Sequence, residues 1–144
     1  MGHSVTAKQS PDEIGIVIVA HGGLAAELLA AMEHVMGALA GVRAIRIDPE
    51  TDRAAKAAEI RDTADSVDTG SGVVVVVDLH GSSPANLCQA VSGPSPRHIL
   101  TGANVPMLLK LAQARHLPLE QAAAAAVTAG RKYIDGRHIG SEES

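Results

Sequence analysis

Two polar residues of complementary chemistry follow apolar runs in this sequence. His21 comes directly after "GIVIVA", and Asp78 comes directly after "VVVVV". A neutral imidazole is nucleophilic at one ring nitrogen when the other carries the proton, and a carboxylate that accepts from that N–H fixes the tautomer. Gly22 and Gly81 follow in turns that lead into predicted helices, whose free N–H groups favour an anion. The pattern indicates chemistry on a phosphoryl group.

The strands that must carry these residues are readable from the apolar runs. The runs at 14–20 and 73–77 are rich in β-branched residues, which is typical of parallel strands buried on both faces. "VRAIRI" at 42–47 alternates less regularly and predicts an edge strand, with its basic residues on a solvated edge, and "RHILT" at 97–101 predicts a short fourth strand.

Helical patterns separate the strands. Apolar spacing from Leu24 predicts a first helix that ends at Gly37, and an Ala-rich charged stretch predicts a second over about 51–66. Ser82 or Ser83 can cap a third helix that runs to about Val91. Two more are expected, one capped by Asn104 with Pro106 in its first turn and a small-residue helix that starts at Pro118.

This alternation predicts an α/β fold: a doubly wound sheet of about four parallel strands in the order 2-1-3-4, with helices on both faces. In such sheets the ligand crevice lies beyond the carboxyl ends of the strands, where the strand order reverses. That point falls between the first and third strands, so His21 and Asp78 are expected to face each other across one crevice.

Length, charge and cysteine usage limit the class of protein. The 144 residues suit one domain, which we place at 14–139 between a disordered segment at 1–13 and a disordered tail at 140–144. A net charge of -4 and a single aromatic residue, Tyr133, argue against a nucleic-acid partner. No apolar run is long enough to span a membrane. The single cysteine, Cys88, and the lack of a secretory signal predict a cytoplasmic protein.

Three segments in order carry a family resemblance. "GIVIVAHGGLAAELLAAMEHVMG", "GVVVVVDLHGSSPANL" and "TGANVPMLLKLAQA" resemble the mannose-type enzyme IIA of the bacterial phosphoenolpyruvate-dependent phosphotransferase system. The resemblance implies a phosphotransferase component in which His21 accepts a phosphoryl group from the phosphocarrier protein HPr and passes it to an enzyme IIB. It implies that Asp78 orients the ring, and that the domain forms a homodimer by exchanging a C-terminal edge strand.

The same resemblance defines the rim of the site. The loop from Gly81 to Asn86 and the segment around Asn104 border the histidine, with Ser83 at the family's hydroxyl position. Helix N-termini and the hydroxyls of Ser82 and Ser83 would hold the phosphoryl oxygens, so no cofactor, metal or arginine clamp is expected. No nucleotide-binding glycine motif follows a strand, so the expected donor is a protein.

The chain departs from the family pattern at the rim, and other functions remain open. The family usually has Phe or Trp at His80, Gly at Ser82 and a bulky apolar residue at Ala85. No IIB domain follows in this sequence, so the expectation is that an enzyme IIB lies on a separate chain or is absent. The alternatives are a regulatory phosphorelay module that moves no sugar, a dihydroxyacetone kinase phosphoryl donor, and a metal-binding module using His21, His80 and Asp78.

Overall fold

The computed structural model describes residues 9–10, 12–79 and 91–140. The predicted third helix, from Ser82 or Ser83 onward, lies outside these residues. The strands and helices are, in chain order, β1 (Gly15–His21), α1 (Leu24–Met36), β2 (Val42–Ile47), α2 (Arg53–Ser66), β3 (Val73–Val77), β4 (Arg97–Thr101), α3 (Val105–Gln113) and α4 (Leu119–Lys132).

The four strands form one parallel sheet in the order β2-β1-β3-β4. This confirms the predicted order, with β2 at an edge and the two most apolar strands in the centre. Ile18 of β1 lies opposite Ala44 of β2 and Val76 of β3. The strand order reverses between β1 and β3: β2 is added on one side of β1, and β3 and β4 are added on the other. A crevice is expected at the carboxyl ends of β1 and β3, where this reversal occurs.

Helices cover both faces of the sheet. Successive side chains of a strand point to opposite faces, so one strand contributes to both cores. Ile16 and Ile18 of β1 pack in a core cluster with residues of α1, α3 and α4. Val17 and Val19 point to the other face and pack in a second cluster with Ile60 of α2. All four β1 residues have no solvent exposure, so the strand is buried on both sides, and the doubly wound prediction is confirmed.

Polar side chains determine where two of the helices begin. As predicted, Asn104 caps α3: its side chain accepts a hydrogen bond of 2.9 Å from the N–H of Met107. Helix α2 begins at Arg53 rather than at the predicted position 51, because Thr51 is held in a turn by a hydrogen bond of 3.0 Å from its N–H to the carbonyl of Asp48. Asp52 is the cap of α2.

A buried ion-pair cluster lies at the amino end of β4, opposite the carboxyl ends of the strands. The Arg97 side chain is only 5% exposed, and its Nη2 donates to carboxylate oxygens of Asp65 at 2.8 Å and of Asp68 at 2.9 Å. Ser95 donates its hydroxyl to both oxygens of Asp68 at 2.6 Å. The cluster thereby joins the end of α2 to the start of β4.

Among the residues described, no helix has the length and apolar character needed to cross a membrane. The longest described helices, α2 and α4, have 14 residues each.

Candidate functional site

The structure brings the two predicted residues together. His21 is the last residue of β1 and Asp78 follows the last residue of β3. The Oδ2 atom of Asp78 lies 2.9 Å from the ring Nδ1 of His21 and accepts a hydrogen bond of 3.1 Å from the His21 backbone N–H. One carboxylate oxygen therefore holds both the main chain and the ring of the histidine.

The charge on Asp78 determines which ring nitrogen carries the proton. Burial of this carboxyl, which is 11% exposed, raises its pKa, but the hydrogen bonds from the backbone and ring of His21 outweigh burial and lower the pKa of Asp78 below its usual value. An ionised carboxylate can only accept hydrogen bonds, so the 2.9 Å contact requires a proton on Nδ1 of His21. In the neutral ring, Nε2 then carries the lone pair.

The imidazole is open to an incoming group. The His21 side chain is 52% exposed, whereas Asp78 behind it is nearly buried. This arrangement combines a fixed orientation with a half-exposed ring, which suits nucleophilic catalysis by histidine.

A glycine turn leads from the histidine into α1. Gly22 has a φ of +55°, a conformation that glycine adopts at little cost, and its N–H donates to the carbonyl of Ile47 at 2.9 Å. Gly23 then caps α1 without a side-chain hydrogen bond. The first turn of α1 thus follows His21 directly, with backbone N–H groups that have no partner within the helix.

Asn104, the other predicted site residue within the described part, lies after β4. Its amide is engaged on both sides, since the oxygen accepts from Met107 and the nitrogen donates to the carbonyl of Gly130 at 3.0 Å. These contacts join α3 to α4. A role of Asn104 at the phosphoryl group stays a prediction.

The remaining predicted site residues, Gly81, Ser82 and Ser83, lie outside the described residues, as do His80 and Ala85 of the predicted rim. Their roles stay predictions. Among the described residues, no group of three or more His, Cys, Asp or Glu side chains is placed to hold a metal ion.

The sequence predicted a solvated edge for Arg46, whose side chain is indeed 63% exposed, but sequence reasoning missed that Arg46 lies beside the His21 turn. Arg46 is opposite Ala20 in the register of β1 and β2, one residue before His21. Its Nη1 lies 3.8 Å from the point that a Cβ on Gly23 would occupy. The signal for this placement was the strand order itself, because an edge strand beside β1 brings its own carboxyl end to the same crevice.

Comparison with known proteins identifies the family of the chain. The family model EIIA-man, described as the PTS system fructose IIA component, matches residues 15–128. The mannose-specific EIIAB component of the phosphotransferase system of Escherichia coli K12 is 30% identical over 124 residues, which are 84% of this chain and 38% of that relative. The chain thus spans less than half the length of the curated relatives it matches.

Two solved structures share the fold. The phosphotransferase component EIIA from Streptococcus agalactiae superposes with a TM-score of 0.77 at 21% identity, covering 85% of this chain and 96% of that one. The mannose/sorbose-specific IIA subunit from Enterococcus faecalis has a TM-score of 0.77 at 20% identity, covering 90% and 98%. Because the family model matches most of the chain, and its match includes both His21 and Asp78, the chain belongs to the EIIA-man family of phosphotransferase-system IIA components.

Proposed function

We propose that this chain is a phosphohistidine carrier, in which Nε2 of His21 accepts a phosphoryl group from HPr and passes it to an enzyme IIB. The observation that supports this most directly is the 2.9 Å contact between Nδ1 of His21 and Oδ2 of Asp78. It leaves the lone pair of the neutral ring on Nε2, in a side chain that is half exposed. The family to which the chain belongs supports the same reaction.

The transfer exchanges one phosphorus–nitrogen bond for another. The bond between phosphorus and the donor imidazole of HPr breaks, its electron pair stays on the donor ring, and the lone pair of Nε2 forms the new bond. The ring of His21 keeps its Nδ1 proton and becomes cationic, and Asp78 stabilises that cation. Transfer to IIB is the same exchange in the forward direction, with His21 as the leaving group.

The geometry of the described residues requires little movement during this step. The ring is already oriented by two hydrogen bonds to one carboxylate, and α1 starts directly after it with N–H groups that favour an anion. Positioning and electrostatics therefore supply the catalysis.

The reaction would take place in the cytoplasm, in agreement with the single cysteine of the sequence.

The direct test is incubation with phosphoenolpyruvate, enzyme I and HPr. We expect one acid-labile, alkali-stable label per chain, located at His21 by peptide mapping. His21→Ala should abolish the label and keep the fold, because a half-exposed ring at a strand end contributes little packing. His34→Ala, which removes an exposed histidine from α1, is the matched control and should label like the wild type. Label that persists in His21→Ala would overturn the proposal.

We also propose that the chain forms a homodimer through its C-terminal segment. Tyr133, Ile134 and Ile139 follow α4 and are 64%, 74% and 88% exposed in the single chain. A groove of about 360 Å³ beside β4 is lined by Ile99, Val127 and Ile134 among others. β4 is an edge of the described sheet, so a segment from a second copy can pair with it as an exchanged strand.

A further inference from the structure

Arg46 lies within reach of the turn that carries the nucleophile. It sits on β2 opposite Ala20, and the next residue of β2, Ile47, is opposite His21 and accepts the hydrogen bond from Gly22. The guanidinium extends from there to the start of α1, where Nη1 is 3.8 Å from the Cβ position of Gly23. A positive charge from a neighbouring strand therefore stands beside the His21 turn.

The guanidinium is held in place although it is largely exposed. Nε of Arg46 donates to both carboxylate oxygens of Asp48, at 2.9 and 2.8 Å. Asp48 is itself fixed, since its backbone N–H donates to the hydroxyl of Thr51 at 2.8 Å. The hydrogen bond and the charge of Asp48 raise the pKa of Arg46, so the cation is maintained. This bifurcated hydrogen bond uses the single N–H of Nε, and it leaves Nη1 and Nη2 to donate to a second anion.

We propose that Arg46 binds the phosphoryl oxygens while the phosphoryl group is on Nε2 of His21. The inference rests on the proposed function. A phosphoryl group on His21 places a dianion near the carboxylate of Asp78, and the terminal nitrogens of Arg46 offset that charge from the β2 side. The planar guanidinium suits this role, because it can donate two parallel hydrogen bonds to a phosphoryl group.

A contact with the donor protein is the competing role for an exposed arginine. The two roles can be distinguished in the phosphorylated protein after its partners have been removed. An arginine that touches the phosphoryl group favours its dianion and so lowers its titration midpoint with no partner present. An arginine that touches only HPr changes the rate of transfer and leaves that midpoint unchanged.

The experiment compares Arg46→Gln with Arg43→Gln. Arg43 is an exposed arginine on the same strand, three residues earlier and thus about 10 Å from Arg46 along β2. Both variants remove one positive charge from β2. Each protein is labelled with phosphoenolpyruvate, enzyme I and HPr, first for the initial rate and then to completion, after which the partners are removed. The phosphoryl group is then titrated by ³¹P NMR.

We expect Arg46→Gln to be labelled about five- to tenfold more slowly, less than the loss for a buried anion-binding donor because Arg46 is exposed. Its ³¹P midpoint should rise by about 0.5 pH unit. Arg43→Gln should match the wild type in both measurements. A slow rate with an unchanged midpoint would overturn the proposal in favour of a docking contact, and wild-type values in both would overturn it outright. Failure of the wild type to accept label would instead contradict the proposed function.

Discussion

At the scale of single residues, the site depends on one carboxylate oxygen. Oδ2 of Asp78 accepts from both the backbone and the ring of His21, while Oδ1 is buried with no hydrogen-bond partner among the described residues. Within the described part of the chain, the hydrogen bonds of the carboxylate side chain are therefore made to His21 alone. Both the tautomer and the orientation of the ring follow from this contact.

Replacement of Asp78 by Asn should slow labelling far more than it destabilises the fold. The amide can present its NH₂ group to Nδ1, which favours the tautomer with the proton on Nε2, and it no longer stabilises the cationic ring. We expect a loss of about a hundredfold or more in the initial rate of labelling from HPr, with a melting temperature close to that of the wild type. A rate within threefold of the wild type would show that Asp78 does not orient the nucleophile.

The acidity of Asp78 should depend on the ring of His21. Hydrogen bonds from His21 lower the pKa of Asp78, so the folded carboxyl is more acidic than the unfolded one. Its contribution to stability is therefore present above the unfolded pKa of about 4 and is lost as the pH falls through the lower folded pKa.

His21→Ala removes the ring hydrogen bond and keeps the backbone one, so the pKa of Asp78 should rise. Titration of the Asp78 carboxyl carbon by ¹³C NMR measures this shift. His34→Ala is again the control and should leave the midpoint in place. An unchanged midpoint in His21→Ala would mean that the ring contact is not made in solution.

At the scale of the elements, strand ends position the chemistry and the opposite ends hold the strands in place. The Arg97 cluster joins α2 to β4 at the amino end of the sheet. Burial raises the pKa of Asp68, but hydrogen bonds from Ser95, Gly70 and Arg97 and the charge of Arg97 lower the pKa below its usual value overall. Asp68 is thus ionised and forms an ion pair with the buried Arg97 guanidinium.

Asp68→Ala should destabilise the protein by about 3 kcal/mol, because it leaves the buried guanidinium of Arg97 with only its contact to Asp65. Asp65→Ala is the matched control: this carboxyl is 48% exposed, so its loss should cost less than about 1 kcal/mol. Urea unfolding at pH 7 measures both.

The pH dependence provides a second measurement on the same variants. Because the folded pKa of Asp68 is lowered, its contribution is present above the unfolded value of about 4 and is lost as the pH falls through the folded pKa. The difference between wild type and Asp68→Ala should therefore shrink in acid. Equal costs for the two variants at pH 7 would contradict the assignment of Asp68 as the main partner of Arg97.

The parts of the fold that follow from local pattern were predictable, and those that depend on register were not. The buried runs of β1 and β3 and the cap at Asn104 are recognisable from short stretches of consecutive residues. The position of the crevice at the carboxyl ends of parallel strands then places His21 beside Asp78. The ion pairs of Arg97 join residues 29 and 32 positions apart, so no local pattern marks them. The position of Arg46 beside the His21 turn likewise depends on strand register.

At the scale of the whole molecule, apolar surface follows the last helix. Ile134 and Ile139 are largely exposed after α4, and Ile134 lines the groove beside β4. Two exposed isoleucines within six residues of sequence indicate a surface that a partner covers, and the groove beside β4 continues from Ile134.

Substitution of both isoleucines by serine should weaken the proposed homodimer. We expect light scattering to report a dimer for the wild type at micromolar concentration and a monomer for the Ile134→Ser, Ile139→Ser variant. Val35→Ser, at a residue of α1 that is 62% exposed, removes a similar apolar side chain elsewhere and should leave the dimer intact. A wild-type protein that is monomeric at this concentration would contradict the dimer.

The hydrogen bond from Gly22 to Ile47 and the two from His21 to Asp78 tie the nucleophile to neighbouring strands on both sides. The register of those strands is fixed by core burial, since a shift by one residue would turn every buried side chain outward. The orientation of His21 therefore depends on the buried core of the sheet, whereas the predicted partner-facing rim lies in a separate segment of the chain. On the prediction that His80, Ser82 and Ala85 form the partner-facing rim, we expect their exchange to redirect transfer to a different acceptor and leave the nucleophile unaltered.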